Sequence, residues 1–193
     1  MPSLKFDPDG HRYYLGEQRL PSVTEVLEPL QLLDGIPPAV LEAARIRGQH
    51  VHTACHLMVH KQLEWATLDP QLVGYVAAAQ KMIAECEVKV LVSEHRMADA
   101  GLKIAGTLDI LGIMRRHTCL FDWKSTETMP RTAGPQTAAY DHLYRRTFGG
   151  RPMKRYGVQL KADGTYKLYP YEDPRDMTWF TSALNLWHWR NAA

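Results

Sequence analysis

Three side chains near the middle of this 193-residue chain have the types and spacing to do chemistry: Asp109, Asp122 and Lys124. Asp109 interrupts the apolar run IAGTLDILGI and Asp122 interrupts CLFDWKS, both stretches whose β-branched and aromatic content reads as strand. Side chains alternate faces along a strand, so Asp122 and Lys124 share one face while Phe121 and Trp123 share the other. Taking either charge out of water is costly unless a partner or a cation compensates it. With a turn near Arg115 to His117, the carboxylates of Asp109 and Asp122 come within reach of one ion. Neighbouring acids repel each other unless a cation sits between them, and hard oxygen ligands suit Mg²⁺ or Mn²⁺. Lys124 is then placed to orient a water or to stabilise charge growing on a phosphate. Acid, acid and lysine together point to metal-assisted phosphodiester hydrolysis.

Plainer readings compete at each point. An isolated D-x-K is better explained as an ion pair; the addition of Asp109, and of Gln136 and Tyr140 at i and i+4 on the following helical stretch, favours a site. His52, His56 and His60 recur every four residues in HVHTACHLMVH and share a helical face, which raises zinc as an alternative, but no Glu or Cys completes a set. Arg145, Arg146, Arg151, Lys154 and Arg155 form a basic cluster close behind Gln136 and Tyr140, read as phosphate contacts against the alternative of a solvated surface. Trp179, Trp187 and Trp189, with Phe180 and Leu184, read as a helix packing on the sheet rather than as a base-stacking platform.

The elements that must position these groups follow from periodicity and turn chemistry. FDPDGHRYYLGEQRLPS is expected to form a hairpin, with DPDG as one turn and LGEQ as a second. Ser22 opens a capping-box pattern, S-V-T-E, and so a short helix ending before Leu30. Helices are expected over 38–63, after Pro37-Pro38, and over 69–87. Three β-rich runs follow, VKVLVSEHRM, LKIAGTLDILGIMRR and TCLFDWKS, with turns at Ala98 to Gly101 and around His117, most economically as an antiparallel meander. PQTAAYDHLYRRTFG is a helix stopped by Gly149, RYGVQLKADGTYKLYPY a hairpin about Ala162 to Gly164, and Pro174 starts a last helix. The class is α+β with a central mixed β-sheet flanked by helices. One domain over 1–193 is expected, divided into an N-terminal hairpin and short helix (1–35), a helical part (38–87), the sheet with the Gln136 helix (88–170) and the C-terminal helix (174–193).

Composition narrows the function classes. A 45% hydrophobic and 23% charged chain is ordinary for a soluble domain. Residues 131–193 hold ten Lys and Arg against five Asp and Glu, leaving thirteen against sixteen before them, so the basic excess sits in the C-terminal third. Cys55, Cys86 and Cys119 lack the spacing of a disulfide framework, zinc finger or iron-sulfur cluster. With no signal-peptide or membrane-spanning stretch, a cytoplasmic location is the expectation and a membrane partner is not.

Gly106-Thr107-Leu108-Asp109, then Asp122-Trp123-Lys124, then Gln136-Thr137-Ala138-Ala139-Tyr140 resembles the PD-(D/E)XK nuclease superfamily. More narrowly it is similar to the RecB-like and phage-type exonuclease branch, whose pattern is G-x-x-D, D-x-K and Q-x-x-x-Y; Arg47-Gly48-Gln49-His50-Val51-His52 resembles that branch's G-x-x-x-H helix motif. Leu108 stands where the namesake proline would be, and the cluster-binding cysteines of some relatives are absent. The resemblance covers about residues 45–145. It implies a restriction-endonuclease-like αβββαβ core and a Mg²⁺- or Mn²⁺-dependent deoxyribonuclease, an exonuclease serving phage or prophage recombination or DNA processing. It makes His52, Asp109, Asp122 and the Trp123 carbonyl metal ligands. Lys124 would activate or position the attacking water, Gln136 and Tyr140 would hold the substrate strand or buttress the lysine, and Glu94 would stand behind the ligands. Ser125 joins the basic cluster among the expected nucleic-acid contacts. DNA is the implied partner, with a recombinase or single-strand-binding protein as accessory. The alternatives are a structure- or site-specific endonuclease of the same superfamily and a non-catalytic DNA-binding module, the latter opposed by the intact acid and lysine set.

Overall fold

Residues 3–30 and 36–192 are described by the computed structural model; the expected boundary at residue 35 lies outside them. The class is α+β, and a five-stranded mixed sheet carries the site. Its strands are β4 (Lys89–Asp99), β5 (Ile104–Met114), β6 (His117–Lys124), β7 (Lys154–Leu160) and β8 (Tyr166–Tyr171), side by side in that order. All neighbours are antiparallel except β6 and β7, which run parallel because helix α4 (Ala133–Phe148) connects them.

Alternation along these strands feeds two apolar layers. Ile110, Phe121, Trp123, Val158 and Leu160 pack under helices α2 (Pro38–Val59) and α3 (Pro70–Glu85). Leu108, Leu111 and Leu120 pack against α4, α5 (Asp176–Arg190) and the short α1 (Val23–Leu27). A sheet so covered on both faces explains why its middle strands are nearly continuously apolar. The N-terminal segment forms a second, three-stranded antiparallel sheet, β1 (Leu4–Asp7), β2 (Arg12–Leu15) and β3 (Gln18–Leu20), where both expected turns occur. The Ser22 capping box forms as expected, the serine hydroxyl accepting from the Glu25 backbone N–H. A bond from the Ala105 N–H to the Pro21 carbonyl ties this segment to β5.

Several boundaries differ from expectation for identifiable reasons. Helix α2 stops at Val59 because Lys61 takes a left-handed φ of 57°, with no glycine to announce it. The β4–β5 turn falls later than Ala98 to Gly101, since Asp99 ends β4 and its Oδ1 accepts from the backbone N–H groups of Gly101 and Leu102. The β5–β6 turn is Arg115-Arg116, both at positive φ (48° and 67°), where Asn-Gly is the usual choice. Of the hydrophobic residues on α5 only Phe180, Ala183 and Leu184 are buried, with Met177 and Trp187 partly so, whereas Trp179 and Trp189 face outward. The helix is narrower in its buried stripe than its tryptophans suggested. No helix among the described residues is long and apolar enough to cross a membrane.

Asp99 also fastens α4, its Oδ2 lying 3.0 Å from His142 Nε2 and 3.4 Å from Arg146 Nε. Burial alone would raise this carboxyl, but the His142 bond and the two backbone N–H groups outweigh it and hold it below its usual 3.8. A lowered folded value means the contribution to stability is present above about pH 4 and is lost as pH falls through that value. Asp99→Asn is therefore expected to destabilise the protein by roughly 1–3 kcal/mol at neutral pH and to flatten the acid limb of its stability profile. Denaturant unfolding of both proteins across the acid range checks this.

Candidate metal centre

Three carboxylates occupy one rung of the sheet. The pairs Ser93–Ile110 and His95–Leu108 place Glu94 opposite Asp109, and the pair Ile110–Phe121 places Asp122 next on the other side. Regular pairing of β5 with β6 ends at Ile110–Phe121, so the strands part where the two aspartates begin. The Trp123 N–H finds Asp109 Oδ2 at 2.7 Å, and this side chain stands in for the lost backbone partner. Glu94 has a left-handed φ of 51°, unusual for a residue with a Cβ and a conformation that concentrates at functional sites.

Helix α2 lays His52 into this gap. Its Nδ1 is 3.1 Å from Asp109 Oδ1 and 3.7 Å from Glu94 Oε1, and its Nε2 is 3.1 Å from the Trp123 carbonyl oxygen. One ligand atom each from His52, Glu94 and Asp109 lies within 4.8 Å of the others, a group that could hold a metal ion. Burial works against the charged imidazole, but Asp109 and Glu94 outweigh it and raise His52 to about 10. That shift favours the protonated ring, which lies between the two acids.

Asp122 stands beside that group with other partners. Its Oδ2 is 2.6 Å from Lys124 Nζ and its Oδ1 accepts from Gln136 Nε2 at 3.1 Å. Burial raises the Asp122 carboxyl, Lys124 opposes the rise and Asp109 adds to it. Gln136 also donates to the Tyr140 hydroxyl at 3.2 Å, so the i, i+4 pair on α4 forms a buried chain ending at Asp122. Burial, then Asp122 and Asp109, holds the Tyr140 phenol well above its usual value. Gly106 makes room for that ring: a Cβ there would come within 2.8 Å of Tyr140 Cε1.

The structure thus brings His52, Glu94, Asp109, Asp122, the Trp123 carbonyl, Lys124, Gln136 and Tyr140 together, with Glu94 among the donors rather than behind them. It does not bring the basic cluster there. Lys154 pairs with Cys119 and Gln159 with Lys124, which puts Lys154 and Lys124 at opposite ends of the β6–β7 pair, roughly 17 Å apart along the strands. Arg145 is paired with Asp141 and Arg146 with Asp99. Arg155 is bound internally, to Asp176 at 3.0 Å and the Gly134 carbonyl at 2.9 Å, while Arg151 and Lys154 are exposed. Ser125 follows Lys124 directly and is buried. His56 bonds Ser93 Oγ at 2.8 Å and stacks edge-on with His60, and neither joins the His52 group.

Two neighbours carried no sequence signal. Tyr13, from the N-terminal sheet, places its hydroxyl 2.7 Å from Thr107 Oγ1, and burial raises it to about 12, with Glu94 and Asp109 adding to the rise. Arg47, one residue before Gly48 on α2, reaches the Ser125 carbonyl.

No family model matches the chain, and no curated protein matches it. Among solved structures, the crystal structure of SSO0001 is similar at 12% identity and a TM-score of 0.42, over 89% of this chain and 76% of that one. A likeness of that degree carries no inference about this chain.

Ion binding to the folded state alone raises stability by RT ln(1 + [L]/Kd), about 2.7 kcal/mol at a hundredfold excess over Kd. Mn²⁺ should therefore raise the melting temperature of the parent protein and leave His52→Ala and Asp109→Asn unmoved. An unchanged Mn²⁺ response in both variants would remove this group as the ion site.

Proposed function

We propose that this protein is a Mg²⁺- or Mn²⁺-dependent deoxyribonuclease, an exonuclease of phage or prophage type acting in DNA recombination or processing. The observation that carries this reading is the convergence of His52, Glu94 and Asp109 within 4.8 Å, with Asp109 opposite the Asp122 that pairs with Lys124. The donor set fits a hard divalent ion: two carboxylates and an imidazole from three separate elements, with the Trp123 carbonyl oxygen adjacent. Such an ion, when bound, supplies Lewis acidity that offsets charge on the phosphate and makes water a better nucleophile.

The protein's own groups account for the remainder. Asp122 holds the Lys124 ammonium at the mouth of the gap, where its side chain keeps 15% exposure and can hydrogen-bond water or a phosphate oxygen. Gln136 fixes the Asp122 carboxylate from the other face, and Tyr140 fixes Gln136, so lysine orientation is set by a buried relay rather than by solvent. Water so oriented attacks phosphorus in line with the departing oxygen. End-cutting and internal cutting share this chemistry, and a structure- or site-specific endonuclease is the neighbouring reading.

End-labelled linear and closed circular DNA, incubated with Mg²⁺ or Mn²⁺ and with EDTA, tests both points. Expected is metal-dependent loss of the linear substrate with the circle intact, and a rate lowered by a factor on the order of 10² to 10⁴ in Lys124→Ala. Cleavage of the circle would favour the endonuclease. A Lys124→Ala protein as active as the parent would end the assignment.

A further inference from the structure

Arg47 is an anomaly outside the metal group. Among the described residues its buried Nε has no hydrogen-bond partner, and no carboxylate lies within salt-bridge distance. Its one side-chain hydrogen bond among the described residues is long, 3.4 Å from Nη2 to the Ser125 carbonyl, and its guanidinium lies 5.9 Å from the centre of the Tyr75 ring. The residue is only partly buried, so a guanidinium with so few partners keeps N–H groups to offer an incoming acceptor.

The surroundings say which ligand. Ser125 adjoins Lys124, and both Ser125 and Tyr75 line an open groove of about 240 Å³ continued by Thr126, Gln159 and Lys161. Glu127 and Asp163 also line it; both are exposed, and Asp163 is occupied in capping Thr165. His52 bonds the Trp123 carbonyl and Arg47 the Ser125 carbonyl two residues on, a step of roughly 7 Å in extended backbone, on the scale of the step between neighbouring phosphates of one strand. We infer that Arg47 is a phosphate-binding residue, taking the phosphate next to the scissile one and leading the strand into the Tyr75–Ser125 groove. This rests on the nuclease reading. The planar fork presents its outer N–H groups to the oxygens of one phosphate, and Tyr75 offers an aromatic face beside it. Arg47 thereby sets the position of the strand relative to Lys124.

The test measures binding of a short fluorescent single-stranded DNA by anisotropy over a range of salt concentrations, with Ca²⁺ in place of Mg²⁺, alongside Mg²⁺-dependent cleavage. Arg47→Ala should weaken binding about tenfold or more, lower the salt slope by about one phosphate contact, and raise KM more than it lowers kcat. Arg47→Lys should restore the salt slope but not the full affinity, because an ammonium lacks the fork. Neither change should lower the melting temperature, since the guanidinium has little to lose in the free protein; a drop of several degrees in both variants would mark a structural role and overturn the inference. Parent-like affinity and salt slope in Arg47→Ala, with the parent cleaving DNA, would also overturn it while leaving the nuclease reading in place. A parent protein that neither cleaves nor binds DNA in the presence of the ion would overturn the nuclease reading itself.

Discussion

Like charges held one strand spacing apart, about 4.8 Å, repel, and the arrangement of this protein answers that repulsion on the rung of Glu94, Asp109 and Asp122. Three elements compensate the acids: α2 gives His52 to Glu94 and Asp109, while Asp122 has Lys124 from its own strand and Gln136 from α4. The parting of β5 and β6 follows from the same constraint. If the ladder continued through this rung, backbone partners would occupy the Trp123 N–H and carbonyl; parted, the strands leave the N–H to Asp109 and the carbonyl to His52.

Two helices on opposite faces then act on one gap. Helix α2 enters beside Trp123 and Asp109, while α4 reaches Asp122 from the layer that also holds Leu108 and Leu120. Since α4 is fastened at its other end through His142 and Arg146 to Asp99, the Gln136–Tyr140 relay is anchored at both ends of the helix. Packing and site are therefore coupled: elements that bury the apolar faces of the sheet also deliver the polar groups to its interrupted rung.

Much of this was legible from residue types and periods. Turn chemistry, the capping box and the alternation in IAGTLDILGI and CLFDWKS place the strands and put Asp109 beside Asp122, because these signals are local. Glu94 was harder to place, since its role depends on a left-handed backbone and on facing Asp109, neither of which a β-rich run announces. Tyr13 and Arg47 act across long sequence separations, and a lone tyrosine or arginine has no period to betray it. The basic cluster misled for the opposite reason: it is close to Gln136 in sequence, but a four-turn helix and the following crossover carry it to the far end of the strands.

The Arg115-Arg116 turn has a consequence reaching beyond its own two residues. Side chains on a strand alternate with a period of two, so a slip of one position between β5 and β6 would set Asp109 against Phe121 or Trp123 and drive an acid toward the apolar layer. The turn is remote from the gap and contributes no atom to it, yet its length keeps the two aspartates abreast. Its residues can be exchanged for any that tolerate positive φ, but adding or deleting one would take the chemistry apart with every reactive side chain still present in the chain.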